Sequence, residues 1–111
     1  MRCLFAAFCC SLAVGAQAAT ITVTTTASDL TPNDGTVSYR EAVTAINSGS
    51  DLGDPNISAQ NPGTFGTNDT IRFNVPGGSV TIDTTAAPAI VKPVQIDGYS
   101  QPGSSANTLG G

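Results

Sequence analysis

Apolar and polar positions alternate along this chain in short bursts separated by turn-forming residues. In Thr20-Ile21-Thr22-Val23-Thr24, Ile21 and Val23 fall on one side and the threonine hydroxyls on the other, the period of a half-buried strand. The same period returns later in Ile71/Phe73/Val75, Val80/Ile82 and Val94/Ile96, with Ile90-Val91 as a shorter apolar pair. Residues 29–35 (DLTPNDG), Pro76-Gly77-Gly78 and Asp97-Gly98 supply the loops and corners between them. One stretch breaks the period of two. Tyr39, Ala42, Val43 and Ile46 stand at i, i+3, i+4 and i+7, a narrow helical stripe. Ser38 and Glu41 have capping-box spacing, and Gly49 stands where a left-handed stop belongs. A helix of about ten residues is shorter than the roughly 12–15 that an isolated one needs, so its stripe must dock on something. Glu41 and Thr44 are expected to face water. Residues 51–68 are polar, pinned only by Leu52, Ile57 and Phe65, and read as a surface loop.

With 111 residues the chain has room for one small domain. Arg2, the apolar run from Leu4 to Val14 broken only by Ser11, and Ala16-Gln17-Ala18 have the form of an export signal, predicted to be cut before Ala19. Residues 1–18 are therefore assigned to a signal peptide, 19–50 to an N-terminal strand and capping helix, 51–68 to a polar loop and 69–111 to strands. No second apolar run is long enough to span a membrane. All three cysteines, Cys3, Cys9 and Cys10, lie in the signal, and the chain has no histidine. That excludes a disulfide framework, a Cys/His zinc site and Cys- or His-based dyads from the exported part. Beyond the signal, Arg40, Arg72 and Lys92 face eight acidic residues. This balance disfavours nucleic acid and anionic lipid as partners.

The candidates for chemistry are Asp69, Asp83 and Asp97 with Arg72 and Lys92. Glycoside cleavage needs two carboxylates held about 5–10 Å apart. Asp83 and Asp97 each follow a strand, where Asp is also a turn former, so no catalytic residue is assigned. Asp51, Asp54 and Asn56 place oxygens at positions 1, 4 and 6 and miss the EF-hand pattern, so no metal or other cofactor is expected. Arg40 opposes the helix dipole and is expected to pair with Asp29 or Asp34. Tyr99 is expected to pack over the turn that follows it, with stacking on a glycan as the alternative.

The stretch VSYREAVTAIN (37–47) resembles the CSLREA-type motif near the N-terminus of secreted bacterial proteins with right-handed parallel β-helices. Val37 stands where that family has Cys, and Tyr39 where it has Leu. NDTIRFNVPGG (68–78) and PAIVKPVQIDGYSQPG (88–103) are similar to the first coils of the same proteins. The strands at Ile71 and Val94 begin 23 residues apart, within the range of solenoid repeats, although a β-sandwich of short strands alternates similarly. The resemblance implies an all-β fold, the start of a parallel β-helix solenoid closed by one capping helix. The cap would consist of Ser38, Tyr39, Arg40, Glu41, Ala42, Val43 and Ile46. The implied function is non-catalytic: the N-terminal cap and first coils of a secreted, surface-displayed structural or adhesive protein. Its partners would be downstream coils of a longer chain or a second copy, with extracellular glycans as a further candidate. The alternatives are the front of a polysaccharide lyase or hydrolase with its catalytic coils downstream, or a small carbohydrate- or calcium-binding module. The run Leu109-Gly110-Gly111 brings no strand to close a last coil, which points to a fragment of a longer protein.

Overall fold

The computed structural model describes residues 17–60 and 63–104. The expected signal sequence through Ala16, its three cysteines and the run 109–111 lie outside the described residues. The element order is β1 (Thr20–Val23), α1 (Tyr39–Ser48), α2 (Pro55–Ser58), β2 (Asp69–Phe73) and β3 (Val94–Ile96), followed by a 3-10 turn, Gly98–Ser100. The three strands form one open sheet in the order β1-β2-β3, parallel at both junctions. Ile21 pairs with Ile71 and Ile71 with Ile96, so three isoleucines lie in one row across the sheet.

This is a small α/β unit, and it corrects the expectation of an all-β solenoid. Successive coils of a solenoid are close to equal in length. Here the crossover 24–68 carries both helices, whereas the crossover 74–93 is much shorter and has none. The two strands that suggested a repeat also pair in another register: Ile71 faces Ile96 rather than Val94. Spacing counted from the first apolar residue of each burst was therefore not the structural spacing.

The helix forms where the pattern places it, for physical reasons visible in its ends. The Ser38 side chain accepts from the Glu41 N–H, the Glu41 carboxylate accepts from the Ser38 N–H, and Gly49 stops the helix at φ 73°. Ala42, Val43, Ala45 and Ile46 are buried in one cluster with Ile21, Val23, Val37, Ile57, Ile71 and Val75. The stripe thus packs on the sheet and its β1–β2 face, not on a coil end. Tyr39 is only half-buried and stacks on Phe73, with ring centroids 6.4 Å apart.

Glu41 is buried rather than turned to water, because the capping box folds its carboxylate back under the chain. Residues 51–68 are not a bare loop either. Asp54 caps α2, Pro55 takes its first position, and Ile57 is buried. Val80-Thr81-Ile82 and Ile90-Val91 form no strand. Pro76, Pro88 and Pro93 remove donors from this segment, and the Thr85 and Val91 amides bond the Asp83 and Asn47 side chains.

Candidate functional site

Three side-chain amides take the place of strands. Each accepts from a backbone N–H and donates to a backbone carbonyl. Gln60 accepts from Thr22 N–H at 2.6 Å and donates to Thr22 C=O at 3.0 Å. Gln101 does the same to Val75, at 2.8 and 2.7 Å. Asn47, on α1, donates to Ala89 C=O at 2.8 Å and accepts from Val91 N–H at 3.0 Å. Buried or half-buried backbone groups must find partners, and a primary amide offers both roles at one point.

The consequence for the sheet is an asymmetry of its edges. In a parallel ladder the N–H and C=O of one residue face the same neighbour, and these directions alternate along the strand. Thr70 N–H donates to Ala19 C=O, so Ala19, Ile21 and Val23 face β2, while Thr22 and Thr24 face outward. Gln60 closes the outward groups at Thr22. Thr24 N–H donates to Val37 C=O at 2.8 Å, and Val37 N–H returns a bond to the Thr24 hydroxyl. The β1 edge is thus covered by its own crossover. On β3, Asp97 N–H donates inward to Ile71 C=O, which turns the backbone groups of Val94 and Ile96 outward. Among the described residues, no hydrogen bond covers that side. Ile96 is 46 % exposed there, against 0 % for Ile71 and 1 % for Ile21 in the same row.

Beside β3 lies a cleft of about 340 Å³, lined by Tyr39, Phe73, Val80, Ile82, Ile96 and Gln101 with a few small polar residues. The acids singled out from sequence do not meet in it. Asp69 is fully buried at the start of β2, where its carboxylate accepts from the Ala19 and Gly66 amides. Asp83 lies on the exposed loop and caps a turn through Thr85. Asp97 follows β3, and its carbonyl accepts from the Ser100 hydroxyl. Arg72 and Lys92 are exposed. Tyr99 is 64 % exposed, and its carbonyl accepts from the Ser104 hydroxyl after the turn.

A second concentration of polar groups lies at the helix N-terminus. Ser38, fully buried, donates its hydroxyl to Asp29 C=O at 2.8 Å. Asp54 accepts from Asn33 and Asn56 N–H, and the Asn56 side chain accepts from Gly35 N–H. Among the described residues, one buried oxygen each of Ser28, Asp29, Glu41 and Asp54 has no hydrogen-bond partner. Burial pushes the Glu41 carboxyl above its ordinary range; the Ser38 amide opposes this, and the charges of Asp29, Asp54 and Asp34 add to it. Asp34 is held below the usual carboxylate range by its bonds to Thr36. Asp51 accepts from Gly53 N–H, so Asp51, Asp54 and Asn56 serve turns and a helix cap. Among the described residues no three acidic, His or Cys side chains are placed to hold a metal ion. Nor is the expected ion pair of Arg40 with Asp29 or Asp34 formed among them.

Neither Gln60 nor Gln101 was singled out from sequence. The only signal for them is their position after long polar or turn-rich stretches, which many glutamines share. Comparison with protein-family models, curated proteins and solved structures found no match, so the likeness of residues 37–47 to the CSLREA-type motif rests on those residues alone.

Proposed function

We propose that this chain is a non-catalytic structural unit of an exported protein, one that ends a parallel sheet on its β1 side and offers β3 for a further strand. That strand would come from a later segment of a longer chain or from a second copy. The observation that carries this reading is the contrast between the edges: Gln60 and the Thr24–Val37 pairing cover β1, while among the described residues nothing bonds the outward groups of β3. Natural sheets block edges that must not pair, and an edge left open beside exposed apolar side chains is suited to strand addition. Val91 at 69 % and Ile96 at 46 % exposure supply those side chains.

Gln60→Ala tests the reading. It uncovers Thr22 and should give larger species than the parent forms, followed by light scattering and by strand-specific dye binding. Gln60→Glu keeps the acceptor and loses the donor, and should fall between the two. A Gln60→Ala protein with the size distribution and solubility of the parent would show that the amide is not an edge block.

A further inference from the structure

Asp69 is fully buried, and its two oxygens are engaged by backbone amides: Ala19 N–H at 2.9 Å on one, Gly66 N–H on the other. No cation among the described residues pairs with it. Leaving a carboxylate in the interior with only neutral donors is costly, since buried charges are normally paired. The donor on one oxygen is the amide of the residue that follows Ala16-Gln17-Ala18, the sequence expected to end the leader.

We propose that Asp69 is the receptor for a new N-terminus created when the leader is removed, and that this pairing completes the fold. The proposal rests on reading the chain as an exported protein. Hydrolysis of the Ala18–Ala19 bond by a leader-removing peptidase takes up one water, leaving a carboxylate on Ala18 and an ammonium on Ala19. No electrons are transferred. Cleavage precedes folding, because in the folded chain Ala19 is 1 % exposed. The ammonium then stands where the amide nitrogen stands now, against the Asp69 carboxylate. A hydrogen bond with charge on its acceptor alone becomes an ion pair with charge on both sides.

The position makes this more than a local gain. Ala19 and Asp69 lie at the same level of the ladder, immediately ahead of the Thr20–Thr70 pair. Thr70 N–H returns a bond to Ala19 C=O at 3.0 Å, so Ala19 is held to β2 from both its ends. Asp69 in turn is in register with Val94 at the start of β3. The ion pair would therefore fasten the start of all three strands, in a chain without a disulfide framework beyond the leader. In a chain that retains Gln17 and Ala18, these two run beside Gly63 and Thr64, so closely that a Cβ on Gly63 would come within 2.6 Å of the Ala18 carbonyl oxygen. A chain cleaved before it folds leaves that groove open and gives the ammonium water on one side.

Lys92 is the single lysine, so in a Lys92→Arg background the α-amine is the one amine that acetylation can reach. The exported protein is isolated, its first residue is read by mass spectrometry, and thermal unfolding is followed before and after acetylation, with and without Asp69→Asn. The expected first residue is Ala19. Acetylation should lower Tm by on the order of 10 °C with Asp69 present and by far less with Asp69→Asn. Should Asp69→Asn fail to fold, a chain processed one residue earlier, retaining Ala18, replaces it and should match the acetylated protein. A different first residue, or an acetylated protein with an unchanged Tm, overturns the proposal. The response to Gln60→Ala is independent of the α-amine, so the edge reading stands or falls separately.

Discussion

Ser38→Ala probes how firmly the helix is tied to the rest of the chain. The Ser38 hydroxyl accepts from Glu41 N–H at 3.0 Å and donates to Asp29 C=O at 2.8 Å, and the residue has no exposed surface. Losing a serine N-cap costs about 1 kcal/mol. The carbonyl of Asp29 loses its donor at the same time, and an acceptor orphaned in a buried site adds about 1–2 kcal/mol. The second half of the capping box, Ser38 N–H to the Glu41 carboxylate, survives because it uses the backbone. The expected loss is about 2–3 kcal/mol, or a fall in Tm of roughly 10–20 °C for a domain of this size. Urea unfolding followed by far-UV circular dichroism measures it, with thermal unfolding as the check. Ser38→Gly separates the two contributions. Glycine is a good N-cap in its own right, so it should recover most of the cap and none of the Asp29 bond. If Ser38→Ala unfolds within about 0.5 kcal/mol of the parent, the hydroxyl carries neither bond's worth and the anchoring of α1 has been misread.

Three further outcomes are expected. Glu41 has its pKa raised by burial, so its contribution to stability is fully present below the ordinary glutamate value near 4.5 and is lost as pH rises through the raised folded value. Glu41→Gln keeps an acceptor for Ser38 N–H and should remove that loss; a stability difference from the parent that stays constant from about pH 4 to about pH 7 would refute the assignment. Asp34 and Asp83 have lowered values, so their share has the opposite sign, present at higher pH and lost as pH falls. Val43→Asp puts a carboxylate at a 1 % exposed position in the main cluster and should abolish cooperative unfolding, at about 4 kcal/mol or more; unchanged solubility and strand content would argue against docking of the stripe. Ile96→Lys places a charge on the open edge and should weaken self-association in sedimentation experiments while moving stability by less than about 0.5 kcal/mol. Assembly identical to the parent's would remove β3 from the interface.

The parts of the fold legible in the sequence are those whose cause is local. Ser38, Glu41 and Gly49 fix the ends of α1 within one or two turns of chain, and the stripe of Ala42, Val43 and Ile46 states which side must be covered. β1 and the cores of β2 and β3 are readable for a similar reason, since alternation registers burial. The same logic misled where alternation and hydrogen bonding part company. Val80 and Ile82 alternate because they line a cleft and pack against the core, yet their backbone joins no ladder. Ile90-Val91 is apolar, but its backbone is met by the Asn47 amide, and both residues remain exposed. Glu41 was placed in water because its position on a helical wheel faces away from the stripe. The capping box that marks the helix start is also what draws that carboxylate inward.

The candidate site was less legible, for a reason that bears on how such edges are made. A glutamine that closes a strand edge has to reach a residue whose N–H and C=O both point outward. That condition depends on the parity of a strand's pairing, and parity is set by a partner about 50 residues away, as Ala19 and Asp69 show. Shifting β1 by one residue against β2 would turn Thr22 inward and leave Gln60 facing Ile21 or Val23, whose side chains would then leave the core. The amide therefore does more than cover an edge. Together with Asp69 at Ala19, it penalises the wrong register at both ends of a strand only four residues long. A strand this short has few ladder bonds with which to choose its own register, so the choice has to be made by side chains reaching in from the crossover.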